Sequence, residues 1–120
     1  MFSVIIPLYN KALYIEKAIR SVAAQTLQEF ELIVVNDGSV DNGVEIVGNL
    51  FKELAAPSGG WSIKTQSNSG VSTARNNGVK AAKYNYIAFL DADDWWEPDF
   101  LEQMNKLIED YPEAGIYGCN

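Results

Sequence analysis

Asp91-Ala92-Asp93-Asp94 follows directly on the apolar run Tyr86 to Leu90 (YIAFL), and this is the first place where the chain could do chemistry. A turn after a strand brings carboxylates two residues apart near one ligand. Carboxylate oxygens suit hard cations, magnesium or manganese, and such ions commonly take one or two protein carboxylates and complete their shell with phosphate and water. A bare D-x-D is common by chance, and a solvated acidic turn at the start of the next helix is the competing explanation. Asp37 is the second candidate. It follows Glu31 to Asn36 (ELIVVN) and precedes Gly38-Ser39. An ionised carboxylate accepts hydrogen bonds and donates none, so it suits the N3–H of a uracil ring and repels cytosine, whose N3 is an acceptor. An Asx-turn or a cap for the following helix would explain it equally well. Arg75, within Ser69 to Gly78 (SGVSTARNNG), would contact base, phosphate or a site carboxylate, or would hold the acidic loops together as an internal ion pair. Tyr9 would stack on a base or cover the end of a sheet. Trp95 and Trp96 are expected to pack beneath the acidic loop.

What is missing narrows the chemistry further. The chain has no histidine, which excludes Ser-His-Asp and Cys-His nucleophiles and histidine-built zinc or iron sites. The lone Cys119 has no partner for an internal disulfide, and a reducing, cytoplasmic setting is the default. Nine basic against 16 acidic residues leave a net charge of −7, contrary to what a nucleic-acid backbone attracts. A phosphorylated small molecule remains open if a divalent cation bridges the two anionic partners.

The elements that must position these residues alternate along the chain. Phe2 to Ile6 reads as a buried strand ended by Pro7, followed from Lys11 by a helix with Asn10 as its N-cap. Residues 31–36 form a second strand, and a helix runs from about Asp41 until Pro57-Ser58-Gly59-Gly60 stops it. Trp61 to Gln66 alternates as a third strand, with a helix at Val71 to Lys83 behind it. The fourth strand, 86–90, leads to a helix with Pro98 in its first turn, and Gly115 to Gly118 starts a fifth strand. At 48% hydrophobic and 21% charged over 120 residues, with no apolar run of 18, this is one soluble α/β domain. Serial β-α units predict a mostly parallel, Rossmann-like sheet with helices on both faces, and such sheets bind ligands at the carboxyl ends of their strands. The loops holding Pro7 to Asn10, Asp37 to Ser39, Asn68 to Arg75 and Asp91 to Asp94 therefore belong to one site.

Taken together, SVIIPLYN (Ser3–Asn10), VVNDGSVDN (Val34–Asn42), SGVSTARNNG (Ser69–Gly78) and YIAFLDADDWWEPDFL (Tyr86–Leu101) closely resemble the family 2 glycosyltransferases of the GT-A fold, over essentially the whole chain. Each motif alone is weak; four in this order are specific. The resemblance implies a nucleotide site of Pro7, Tyr9, Asp37, Gly70, Arg75, Asp91 and Ala92. In it Tyr9 borders the base, Asp37 hydrogen-bonds it, the turn at Gly70 helps enclose the nucleotide, Arg75 lies against it, and Asp91 faces ribose or sugar. Asp93 is implied as the ligand of a Mn2+ or Mg2+ ion that bridges the diphosphate, and Asp94 matches an aspartate of less uniform role. The implied reaction is inverting transfer of a sugar, with UDP-sugar the expected donor, to a glycan or lipid-linked acceptor. Two departures stand out. Asn36 and Val40 replace the Asp and Thr frequent in the second motif, leaving Asp37 in place. The chain also ends at Asn120, whereas relatives run on to an acceptor-binding part that supplies the catalytic Asp or Glu base. Glu97 and Asp99 read instead as first-turn helix carboxylates. The expectation is a truncated, donor-binding portion that binds without efficient transfer and holds no catalytic residue of its own. Its last strand would be left as an edge open to pairing with a second copy. Contact with the inner face of a membrane would fall to the absent part.

Two other α/β classes are set aside by the residues at their sites, since fold and length alone do not separate a receiver-type domain from this reading. A receiver-type signalling domain needs acidic residues after its first strand, where this chain has Pro7-Leu8-Tyr9-Asn10, and a lysine after its last, where it has Gly118-Cys119-Asn120. A sugar-nucleotide pyrophosphorylase brings a glycine-rich, basic loop near the first strand, and none is present. A non-catalytic nucleotide-binding module is disfavoured by the intact D-x-D.

Overall fold

The computed structural model describes residues 1–111, and the fifth strand expected at 115–118 lies outside them. β1 (Phe2–Leu8) and β2 (Phe30–Asp37) are buried at every position, because both sit inside the sheet with a helix layer on either side. β3 (Trp61–Gln66) and β4 (Tyr86–Phe89) are only partly buried. All pairings are parallel, in the order β3-β2-β1-β4. α1 (Ile15–Ala23), α2 (Gly43–Glu53) and α4 (Phe100–Asp110) pack on one face, with Ile19, Val47 and Leu101 set against Val4, Ile6 and Val34. α3 (Val71–Ala81) covers the other face, where Ala74 meets Ile5, Ile33 and Val35. The Rossmann-like α/β architecture with helices on both faces is as expected.

Several boundaries differ from the expectation, each for a tertiary reason. β1 continues through Pro7 to Leu8 instead of stopping at Ile6. β4 last pairs at Phe89 with Ile5, and Leu90 N–H still donates to the Ile5 carbonyl at 3.0 Å; beyond that level Pro7 has no neighbour on that side, so its missing N–H costs no ladder bond. Asn10 is not a helix cap. It has φ +52°, its N–H donates to Ser39 Oγ and its side-chain oxygen accepts from Val40 N–H. Asparagine tolerates this left-handed conformation better than most residues, and α1 starts only at Ile15, after a turn closed on the Lys11 carbonyl. α2 starts at Gly43 instead of Asp41, whose carboxylate accepts from Gly43 N–H and Ala12 N–H. α3 ends two residues short of Lys83, because the Lys83 N–H donates to the buried Glu31 carboxylate, which Ser3 Oγ also reaches. Pro98 precedes Asp99, the N-cap of α4, so Pro98, Glu97 and Asp99 all fall before its first turn. Asp37 closes β2 as its last residue, opposite Gln66 of β3.

Close approach of α3 to the sheet depends on Gly78. A Cβ there would stand 2.5 Å from Ile5 Cγ2, a β-branched side chain held in the sheet with little rotamer freedom. Gly78→Ala is therefore expected to lower stability by about 1–3 kcal/mol, the usual cost of overpacking. Denaturant unfolding would measure it, and a neutral or stabilising result would show that α3 can lift without penalty.

Candidate functional site

β2 and β3 lie on one side of β1 and β4 on the other, so the chain reverses its strand order between β1 and β4. Loops at the carboxyl ends of those strands diverge and leave a crevice. A cavity of about 560 Å³ opens there, and Pro7, Tyr9, Asp37, Gly70, Arg75, Asp91, Ala92 and Asp93 all line it. Every residue singled out for nucleotide or metal is thus brought to one place by four separate segments. Leu8, Lys11, Asn68, Val71 and Ala74 complete the lining. Of these, all but Lys11 lie in the loops assigned to the site, and Lys11 could have been noticed as a cation beside acidic loops.

Asp37 is 3% exposed and its carboxylate is surrounded by donors. Oδ1 accepts from Gln66 Nε2 at 2.9 Å and from Ser69 N–H at 2.8 Å, and Oδ2 accepts from Gly70 N–H at 3.0 Å and from Asn68 Nδ2 at 3.4 Å. Gln66 is itself fixed by Asn77 of α3. Burial alone would raise the Asp37 pKa, but the hydrogen bonds from Ser69, Gln66 and Gly70 outweigh it and hold the carboxyl below its ordinary value. The residue neither forms an Asx-turn nor caps α2. It ties the end of β2 to the loop that opens α3, and Gly70, at φ +99°, makes that loop's final bend.

The D-x-D carboxylates stand on a turn closed by Asp94 N–H on the Asp91 carbonyl at 3.0 Å. Each carries a cation. Arg75 Nη2 is 3.1 Å from Asp91 Oδ1, and Lys11 Nζ is 3.6 Å from Asp93 Oδ2. Arg75 also lies over the Phe89 ring at 5.9 Å, and its buried Nε has no hydrogen-bond partner among the described residues. Its internal ion pair is therefore present, with a donor to spare. Tyr9 is about half exposed at the cavity rim. Asp94 turns away, accepting from Trp95 N–H, and lines a separate hollow with both tryptophans. Trp96 packs under the loop against Phe100, ring to ring at 4.4 Å; Trp95 does not, remaining 44% exposed with Lys17 over its ring.

No group of three or more His, Cys, Asp or Glu able to hold a metal occurs among the described residues. Two hard-oxygen donors on one turn nevertheless suit Mg2+ or Mn2+, which complete their shells with phosphate oxygens and water. No described helix is long and apolar enough to cross a membrane.

Comparison with known proteins agrees with this architecture. The family model for glycosyl transferase family 2 matches residues 3–120. The chain is 37% identical over 118 residues to the putative glycosyltransferase EpsH of Bacillus subtilis, covering 98% of the chain and 33% of EpsH. It is 35% identical over 121 residues to the chondroitin synthase of Pasteurella multocida, covering all of the chain and 12% of that protein. The chain thus spans a third or less of the length of these relatives. Among solved structures, S. aureus TarS in complex with UDP-GlcNAc superposes with a TM-score of 0.83 at 28% identity, over 99% of this chain and 36% of that one. The Pyrobaculum calidifontis mannosyltransferase PcManGT, solved with GDP-Man and Mn2+, shares the fold with a TM-score of 0.81 at 24% identity, over 89% of this chain and 32% of that one. With its parallel sheet, its crevice at the reversal of strand order and a family match over nearly its whole length, the chain belongs to glycosyl transferase family 2 and has the GT-A type of fold.

Proposed function

We propose that this chain binds the donor of a metal-dependent, inverting sugar transfer, with a UDP-sugar as the donor and a glycan or lipid-linked molecule as the acceptor of the whole enzyme. The observation that carries the reading is the convergence of Pro7, Tyr9, Asp37, Gly70, Arg75, Asp91, Ala92 and Asp93 on one cavity at the reversal of strand order. The likeness to TarS, solved with UDP-GlcNAc, supports a uridine nucleotide.

In this reading the half-exposed Tyr9 ring borders the base, and Asp37 receives its N3–H. The Asp37 oxygens already accept four hydrogen bonds, and the longest, 3.4 Å from Asn68 Nδ2, is the one a base N–H would displace. Cytosine offers an acceptor at N3 and would face the carboxylate unfavourably. Gly70 lets the backbone bend around the nucleotide, and Arg75 brings its guanidinium charge to the ligand. Asp91 faces the ribose or sugar, and Asp93 would hold Mn2+ or Mg2+. When bound, such an ion supplies Lewis-acid stabilisation of the departing diphosphate.

Thermal unfolding with UDP, CDP and GDP, each with Mn2+ or with chelator, tests this. UDP with Mn2+ is expected to raise the midpoint most, CDP to raise it less, and chelator to remove most of the gain, since a ligand that binds only the folded state stabilises it by RT ln(1 + [L]/Kd). A shift with acetyl phosphate and Mg2+ but none with nucleotides would overturn the reading in favour of a receiver-type domain. Equal shifts with UDP and CDP would remove Asp37 from base recognition.

A further inference from the structure

We propose that Lys11 couples metal to nucleotide: it guards the Asp93 carboxylate until a divalent ion displaces it, and then serves as counter-charge to the diphosphate. The inference rests on the donor-site reading above and concerns a residue that reading leaves without a role.

The two carboxylates of the site are paired with cations of different kinds. Arg75 is anchored. It rises from α3, its Nε is buried, and its guanidinium lies over Phe89 at 3.1 Å from Asp91. Lys11 is held less closely, although the two side chains are similarly exposed, at 43% and 40%. It stands on the loop after β1, 3.6 Å from Asp93 and 5.8 Å from the Tyr14 ring centroid. A guanidinium in a fixed fork suits a permanent pair, whereas an ammonium on four methylenes is a point charge that can swing between partners. A divalent ion at Asp93 would put two positive charges where Nζ now stands, and the ammonium must leave. Because Lys11 lines the same cavity, an anion bound there is within reach of its swing.

Two opposite effects follow from one side chain. Without nucleotide, Lys11 competes with the metal for Asp93, and metal binding is weakened. With nucleotide, the displaced ammonium gains a phosphate partner, and binding is strengthened. Metal and nucleotide are then positively coupled, and the coupling is reciprocal.

The test uses Lys11→Met in the full chain, with Mn2+ alone as one probe and UDP at saturating Mn2+ as the other. Free Mn2+ is followed by electron paramagnetic resonance and UDP by calorimetry. The variant is expected to bind Mn2+ alone about threefold more tightly, the scale of an exposed ion pair removed. It is expected to bind UDP about tenfold more weakly, the scale of a lost charge-assisted hydrogen bond. Lys11→Gln should reproduce both changes. Unchanged or weaker Mn2+ binding, or a change in only one of the two affinities, would overturn the proposal and leave Lys11 a surface ion pair. Asp93→Asn serves as the control for the underlying reading. If it loses Mn2+ binding while Lys11→Met changes nothing, only the role of Lys11 has failed. If it keeps Mn2+ affinity, the donor-site reading and this inference both fall.

Discussion

Asp93→Ala is expected to erase the metal-dependent part of the thermal shift produced by UDP, while moving the ligand-free midpoint little. The two halves of that expectation come from the same observation. Asp93 is 48% exposed at its side chain and its ion pair to Lys11 spans 3.6 Å, so removing it costs the folded protein at most about 1 kcal/mol. Its value appears only with ligand. At a concentration 100 times Kd, a ligand specific for the folded state contributes about 2.7 kcal/mol. For a domain of this size that corresponds to a rise of about 10 °C or more. If Asp93 holds the ion that links protein to diphosphate, the variant should give the same small shift with Mn2+ as with chelator. Asp91→Ala makes an informative partner, because it releases Arg75 from its 3.1 Å pair while leaving Asp93 in place. A variant without Asp93 that keeps its full response to Mn2+ would show that Asp93 does not hold the metal.

How far such a site can be read before the fold is known depends on whether its signals are local. β1 and β2 were legible because strands buried on both faces appear as unbroken apolar runs. The end of β4 was legible to within a residue, where YIAFL gives way abruptly to Asp91-Ala92-Asp93, although β4 itself is only partly buried. From alternating strands and helices, the position of the crevice followed by topology alone. The features that were not legible share long-range partners. Asn10 sits before a helical pattern and looks like a cap, yet its left-handed backbone is held by Ser39 and Val40, about thirty residues on. Pro7 looks like a strand end, yet it is tolerated because β4, some eighty residues later, last pairs at Ile5, two residues before it. Glu31 looks like an ordinary strand-start carboxylate, but it is buried and receives Ser3 Oγ and Lys83 N–H. Lys11 gave no periodic signal, and its importance shows only once Asp93 is folded against it.

Asp37 is the residue whose local and tertiary explanations diverge most, and its replacement should have the largest effect on stability. Asp37→Asn is expected to destabilise the fold by about 2–3 kcal/mol at pH 7. The amide keeps one oxygen for Gln66 or Ser69 but turns an NH2 toward the Gly70 N–H, and hydrogen bonds to a charged acceptor are worth about 1.5–3 kcal/mol each. Partial exposure of the Ser69 and Gly70 backbone lets water recover some of this, which keeps the figure at the lower end. The pH dependence separates this account from a simple packing defect. Although burial opposes ionisation, the three hydrogen bonds hold the folded pKa below its ordinary value of 3.8. A depressed carboxylate contributes stability that is fully present above the unfolded pKa and is lost as pH falls through the folded one. The gap between wild type and Asp37→Asn should therefore be constant from pH 7 down to about 5 and close below about pH 4. Denaturant unfolding from pH 7 to pH 2 would measure it. A gap that persists unchanged into acid would mean that the Asp37 charge contributes nothing, and that the loop before α3 is held by shape alone. A gap that closes would make Asp37 the strut of the site as well as its proposed base contact, so nucleotide affinity should fall in this variant even where the fold survives.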